Sequence, residues 1–283
     1  MILRAALLQL CAGDDPEANL RLTDSALREA ANRGATLALT PECTNILAAS
    51  RERQAEVLCL EGEDPTLARL RSLARELDLT IVAGSLAFKA EPPETRFVNR
   101  CLVIGPDGSI LARYDKIHMF DVTLDAGETY RESAAYRPGD RAVTVQAAGT
   151  CLGLSICYDL RFPALFRDLA LGGARILTIP AAFTVPTGAA HWHVLLRARA
   201  IETGCFVLAP AQTGDHPSAS GRPRRTYGHS LAVSPWGEVL TDAGRDPGLS
   251  IVELDLEQVD KARARIPALS HIRSWQGPDK TRP

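Results

Sequence analysis

The sequence lacks an excess of charge of either sign: 32 lysines and arginines face 34 aspartates and glutamates over 283 residues, a formal charge of -2. That balance offers no field to hold a polyanion, so nucleic acid and an anionic membrane are excluded as partners. Long apolar runs are missing too, and no stretch reaches the roughly 18 residues that span a bilayer. Met1 to Leu10 is a short run broken by Gln9 and followed by Asp14 and Asp15, without the long apolar region and small-residue cleavage site of a signal peptide. The seven cysteines (11, 43, 59, 101, 151, 157 and 205) are odd in number and include no C-x-x-C pair, which argues against a zinc site or a redox dithiol. Free thiols of a soluble protein in a reducing cytoplasm are the expectation. Linkers rich in Pro and Ser, low-complexity tracts and repeats are also absent. A chain of this length that is 46% hydrophobic can bury a full core, so one domain over residues 1–283 is expected, with an irregular tail from about 265.

What is present is an alternation of short apolar runs with segments of helical period. Ile2 to Leu8, Pro16 to Arg33 and Ala35 to Thr40 open the chain as strand, helix and strand, with Gly34 closing the helix. Leu67, Leu70, Leu73, Ala74 and Leu77 form one helix face ahead of a strand over Thr80 to Phe88. Val98 to Ile104 and Ser109 to Arg113 flank the turn Gly105-Pro106-Asp107-Gly108; that hairpin rules out a purely parallel sheet. Tyr114 to Asp140 is long, polar and without period, as functional loops of compact domains are. The second half repeats the style. Strands are expected near Ala142 to Gln146, Cys151 to Ile156, Arg175 to Ile179 and Cys205 to Ala211, helices over Pro163 to Leu171 and His191 to Thr203, and a hairpin about Pro235-Trp236-Gly237. The fold class is α/β, with helices covering two mixed sheets.

Most cysteines are small buried hydrophobes, and Cys101, Cys151 and Cys205 read that way. Cys157 differs, because it stands where the apolar strand Cys151 to Ile156 ends and the polar turn Tyr158-Asp159-Leu160-Arg161 leads through Phe162-Pro163 into a helix. A nucleophile on such a turn projects from the sheet edge, and the helix N-terminus is expected to favour its thiolate. A thiol of ordinary pKa needs a base or a cation. Six histidines (118, 191, 193, 216, 229 and 271) leave a papain-like pairing open. Glu42 and Lys116 are better placed, each following an expected strand at the same kind of sheet edge.

Thr40-Pro41-Glu42, Tyr114-Asp115-Lys116-Ile117-His118 and Ile156-Cys157-Tyr158-Asp159-Leu160-Arg161-Phe162-Pro163 resemble, in order, three signatures of the nitrilase superfamily. The similarity continues through Arg131-Glu132-Ser133, Gly188-Ala189-Ala190-His191-Trp192, Arg197 to Glu202 and Tyr227-Gly228-His229-Ser230. The resemblance implies a four-layer αββα sandwich, pairing with a second subunit as a homodimer or higher homo-oligomer, and no metal or organic cofactor. Carried over by motif, Cys157 is the nucleophile, Glu42 the general base and acid, Lys116 the cation that stabilises the oxyanion, and Glu132, six residues before Pro138, the group that orients Lys116. Those roles supply what amide hydrolysis needs.

Arg161 lies four residues after Cys157, where relatives acting on carboxylate-bearing amides have an arginine. A guanidinium fork suits a carboxylate; pairing with a nearby acid such as Asp159 is the alternative. Tyr158, by its backbone N–H, Phe183, Thr187 and His191 complete the expected substrate wall, with Phe183 to Ala190 between strand and helix. His191 and His193, two apart on a helix, diverge too far to share a metal. The segments Ala211-Gln212-Thr213-Gly214-Asp215-His216, Thr226-Tyr227-Gly228-His229-Ser230 and Gly127-Glu128-Thr129-Tyr130-Arg131-Glu132-Ser133 look most like amidases of deaminated glutathione, a small-molecule amide bearing carboxylates. ω-Amidases acting on α-ketoglutaramate are the near alternative and N-carbamoyl amino acid hydrolases the third. A catalytically silent binding protein on the same scaffold would have lost Glu42, Lys116 or Cys157, and none is lost.

Overall fold

The computed structural model describes residues 1–48, 50–124, 129–218 and 224–278. Its first half runs β1 (Ile2–Gln9), α1 (Pro16–Asn32), β2 (Leu37–Leu39), α2 (Arg51–Val57), α3 (Pro65–Leu77), β3 (Thr80–Lys89), β4 (Phe97–Ile104), β5 (Ile110–Asp115) and a small ribbon of β6 (Asp121–Thr123) with β7 (Thr129–Arg131). The second half runs β8 (Val143–Ala147), β9 (Thr150–Leu154), α4 (Pro163–Leu171), β10 (Ile176–Thr178), α5 (Val185–Thr203), β11 (Phe206–Ala209), a ribbon of β12 (Thr213–Asp215) with β13 (Arg225–Tyr227), then β14 (Leu231–Val233), β15 (Val239–Asp242), β16 (Gly248–Asp255) and α6 (Glu257–Arg265). The chain after α6 forms a short 3-10 turn over Ala268–His271.

Two six-stranded mixed sheets result, ordered β16-β1-β2-β3-β4-β5 and β15-β14-β11-β10-β9-β8. Each has three parallel strands at its centre and antiparallel strands outside. The two-residue period of a strand decides the layering. Leu3, Ala5 and Leu7 of β1 join a core with Leu152, Leu154, Ile176 and Leu208 of the other sheet. Ala6 and Leu8 turn the opposite way, toward Leu27 of α1 and Leu67, Leu70 and Leu73 of α3. Phe166 of α4 and Trp192 and Leu196 of α5 cover the outer face of the second sheet. The order helix, sheet, sheet, helix is the αββα sandwich expected from the resemblance.

Local chemistry explains the covering helices. Asp15 caps α1 by accepting from the N–H groups of Glu17 and Ala18, with Pro16 in the first turn, where its missing N–H costs nothing. Asp64 caps α3 through the N–H of Leu67 at 2.7 Å, ahead of Pro65. Each fully buried leucine on α3 contributes about 2 kcal/mol of transfer free energy. At the end where the sheets meet, Gly84 has no substitute: a Cβ there would stand 1.8 Å from the Thr40 carbonyl oxygen and 2.5 Å from Pro180. Its bareness lets the loop carrying Glu42 lie against the loop that follows β10.

Three expectations are corrected. β16 was not anticipated; it pairs antiparallel with β1 along its length, Ile2 opposite Asp255 and Gln9 opposite Gly248. α5 begins at Val185 and not near His191, so much of Phe183 to Ala190 is helix. Pro186 suits the first turn of a helix, and Gly188 is required because the Tyr227 ring lies 2.3 Å from where its Cβ would be. The periodless Tyr114 to Asp140 segment contains β6, β7 and a 3-10 turn over Glu132–Ala134.

Candidate active site

Glu42, Lys116 and Cys157 come from different strand ends and converge. Glu42 stands three residues beyond β2, Lys116 directly after β5 and Cys157 three residues beyond β9. All three are almost shielded from solvent, at 3, 2 and 8% exposure. The Glu42 carboxylate accepts hydrogen bonds at Oε1 from Lys116 Nζ at 2.9 Å and Asn99 Nδ2 at 3.0 Å, and at Oε2 from the Ala182 N–H at 3.0 Å. Lys116 Nζ also donates to both oxygens of Glu132 at 2.9 Å. Glu132 is fixed in turn by the Phe120 N–H, 2.6 Å from Oε2. Buried charges persist when paired and fully hydrogen-bonded, and this triad of two carboxylates and one ammonium meets that condition.

Cys157 opens a 3-10 turn, Cys157–Arg161, with φ of +52°, a conformation L residues seldom adopt. Its N–H donates to the Pro180 carbonyl oxygen at 2.9 Å. Asp159, fully buried, holds the turn shut: it accepts from the Ile156 N–H at 2.8 Å, the Tyr114 hydroxyl at 2.6 Å and the His118 N–H at 3.1 Å, with His118 Nδ1 at 2.7 Å. Asp159 is therefore committed and does not pair with Arg161. The N–H of Tyr158 is among the donors that the start of a helical turn leaves without an internal partner, and Tyr158 faces the same cavity as Lys116.

The electrostatics overturn the expected thiolate. Burial and the Glu42 carboxylate push the Cys157 thiol well above its usual range, with Lys116 opposing them only in part. No long helix stands directly behind the sulfur, since α4 begins six residues on at Pro163. Burial would raise Glu42, but the Lys116 charge and hydrogen bonds from Cys157 and Lys116 outweigh it and hold Glu42 below the ordinary carboxylate value. Lys116 is held charged well above its usual range, because Glu132 and Glu42 outweigh the effect of burial. Both directions favour a thiol beside an ionised carboxylate, the arrangement from which one proton can pass to Glu42.

These groups open into a cavity of about 510 Å³. Tyr158, Arg161, Phe183 and Thr187 line it as expected, but His191 does not: it is exposed on α5 and touches Arg161 NH1 through Nδ1 at 3.2 Å. None of the six histidines lines the cavity, so no papain-like pair forms. Gly127 and Glu128 lie outside the described residues. Among the described residues one set of possible metal ligands converges, His193, His229 and Asp242; Asp242 already bridges the two imidazoles, at 3.0 and 2.9 Å, away from the cavity wall. Sequence reasoning missed Asn99, Cys43 and Arg224, which also face the cavity. Burial and Glu42 push the Cys43 thiol up to about 12. For Arg224 the sequence held no signal beyond a basic residue near the Tyr227-Gly228-His229-Ser230 segment.

Comparison with known proteins agrees with this geometry. The family model described as carbon-nitrogen hydrolase matches residues 4–264. The chain is 39% identical over 269 residues to a deaminated glutathione amidase of Synechocystis sp. (strain PCC 6803 / GT-S), covering 94% of this chain and 97% of that protein. It is 34% identical over 271 residues to the omega-amidase NIT2 of Homo sapiens, covering 96 and 95%. The solved NitFhit protein of C. elegans superposes with a TM-score of 0.89 at 34% identity, over 96% of this chain and 65% of that longer one. The chain thus belongs to the carbon-nitrogen hydrolase family, as an enzyme of the amidase type.

Proposed function

We propose that this protein hydrolyses the amide of deaminated glutathione, a 2-oxo acid amide, through a thioester on Cys157. One observation carries the mechanism: Cys157, Glu42 and Lys116 converge at the floor of a cavity, the carboxylate 2.9 Å from the ammonium. Glu42 takes the thiol proton as Sγ attacks the amide carbon, and the carbonyl oxygen becomes an oxyanion facing Lys116 Nζ and the Tyr158 N–H. Glu42 returns the proton to the leaving amine, the carbon-nitrogen bond breaks, and the thioester remains. Water then enters, gives a proton to Glu42 and attacks the thioester carbon. The second tetrahedral intermediate collapses to the free 2-oxo acid, and the proton goes back to sulfur. Glu132 orients Lys116 throughout.

The relatives named deaminated glutathione amidase support this substrate, as does the Arg161 guanidinium, which has no acid partner among the described residues. The chief competitor is an ω-amidase role on α-ketoglutaramate. Both substrates share the reacting end, so discrimination rests on remote contacts. With the open-chain fraction of each keto substrate corrected for, kcat/KM for deaminated glutathione is expected to lead by at least about tenfold, roughly 1.4 kcal/mol. A ratio near one, or reversed, moves the assignment to ω-amidase; a strong preference for an N-carbamoyl amino acid rejects both.

We further propose one domain over the whole chain, assembled as a homodimer or larger homo-oligomer in a reducing cytoplasm. Val194 and Ile201 on α5, Trp236 in the β14–β15 turn and Ile266 and Trp275 of the tail are all about half exposed or more, at 48 to 75%, as at an uncovered interface. The seven cysteines are free thiols. Light scattering that gives a monomer mass at micromolar concentration, or a thiol titration short of seven, would count against this part of the proposal.

A further inference from the structure

Besides Arg161 and the exposed Arg131, the cavity is lined by a third arginine, Arg224, that the mechanism above does not use. Arg224 precedes β13 and lines the wall with Glu42, Cys43 and Ala182. Among the described residues the one hydrogen bond of its guanidinium runs from Nη2 to the Ala182 carbonyl oxygen at 3.3 Å, and Nε is shut off from solvent with no partner. The neighbouring carboxylates are already engaged, Glu42 and Glu132 both by Lys116. Other sheltered arginines of this chain have acids: Arg100 has Glu61 and Asp115, and Arg199 has Glu202. Leaving a guanidinium donor without water or an acceptor costs free energy, and its fork fits a carboxylate two-pronged.

Arg161 lines the same cavity beside Phe183, the residue after the Ala182 that Arg224 holds. Its guanidinium lies over the rings of Phe183 at 5.5 Å and Tyr158 at 5.8 Å, and among the described residues it has no acid beside it. Arg161 continues the turn that carries the nucleophile. Arg224 instead grips the carbonyl of Ala182, whose N–H holds Glu42 Oε2. The leaving amine must be within reach of Glu42 to be protonated, which puts the leaving group on the Arg224 side and the acyl group on the Arg161 side.

We infer that Arg224 binds a carboxylate of the leaving amine while Arg161 binds the carboxylate of the acyl group, so that the site selects amides with an anion on each side of the scissile bond. This rests on the amidase reading above and deepens it. Deaminated glutathione carries both anions; α-ketoglutaramate carries the acyl one and releases ammonia. Once the amine has left, Arg224 has no contact with the acyl enzyme, and deacylation proceeds without it.

The test compares wild type, Arg224→Met and Arg224→Lys on three substrates: deaminated glutathione, the same molecule with its glycine carboxylate converted to carboxamide, and α-ketoglutaramate. Arg224→Met is expected to lower kcat/KM for deaminated glutathione at least about thirtyfold, as loss of a buried ion-pair partner does. Wild type should lose a similar factor on the carboxamide, to which Arg224→Met should be indifferent. Arg224→Lys, keeping charge without the fork, should fall between. On α-ketoglutaramate, which has no leaving-group carboxylate, any loss in Arg224→Met, acting through the Ala182 peptide that holds Glu42, should be at least about tenfold smaller than its loss on deaminated glutathione. Equal losses on both keto substrates, or a wild type indifferent to the carboxamide, would overturn the inference and leave the amidase reading intact. A wild type inactive on both keto substrates would remove that reading and this inference with it. If Arg224→Met proves misfolded by circular dichroism, the wild-type ratio between acid and carboxamide decides.

Discussion

The floor and the wall of the cavity satisfy their polar groups in opposite ways. On the floor, every charge has its partners within the protein: Lys116 sits between Glu42 and Glu132, and Glu42 is held by Asn99 and Ala182 as well. On the wall, among the described residues, the guanidinium of Arg161 has two ring faces and an imidazole, and that of Arg224 one carbonyl. Preorganised groups on the floor cost nothing to arrange when charge develops. Unfinished groups on the wall leave binding energy for a ligand. The contrast separates chemistry from selection: substitutions on the floor should slow every substrate alike, and those on the wall should re-rank substrates.

The largest expected effect is the loss of turnover in Cys157→Ala, by at least about 10⁴-fold on all amides. Retained turnover would dissolve the distinction between floor and wall, because the floor would then have no nucleophile. Next, Glu42→Gln keeps shape and burial while removing the proton carrier, and should lower kcat about a hundredfold, some 2.7 kcal/mol, with the fold unchanged by circular dichroism. A folded Glu42→Gln enzyme of near wild-type rate would exclude the role. The smallest effect is a flat one. Glu42 loses its charge as pH falls through a value held below the ordinary 4.5, and Cys157 gives up its proton only above the ordinary 9.0. Both working forms therefore persist between, and kcat/KM should show no inflection from about pH 5.5 to about pH 8.5. An inflection near the ordinary histidine value, about 6.5, would point to an imidazole at the site after all.

How much of this could be read from the residues differs from one element to the next. The covering helices declared themselves, because Asp15-Pro16 and Asp64-Pro65 caps and the leucines of α3 are local signals. Glu42, Lys116 and Cys157 were found because each follows a strand end within a few residues. β16 escaped because its partner, β1, lies at the other end of the chain, and pairing at that separation leaves no local mark. The thiolate reading failed for a related reason: helix proximity is visible along the chain, whereas the opposing carboxylate arrives from 115 residues away (157 minus 42). Arg224 could not be singled out at all, since what marks it is an absence of partners, a property of the assembled cavity alone.

The left-handed backbone of Cys157 sets two selective pressures against each other. That conformation costs an L residue about 1–2 kcal/mol that glycine would not bear, and with it Cys157 lines the cavity beside Glu42 and Lys116. Drift toward a sturdier molecule therefore runs downhill toward a silent one. Cys157→Gly should accordingly be folded, at least as stable as the native protein and without turnover.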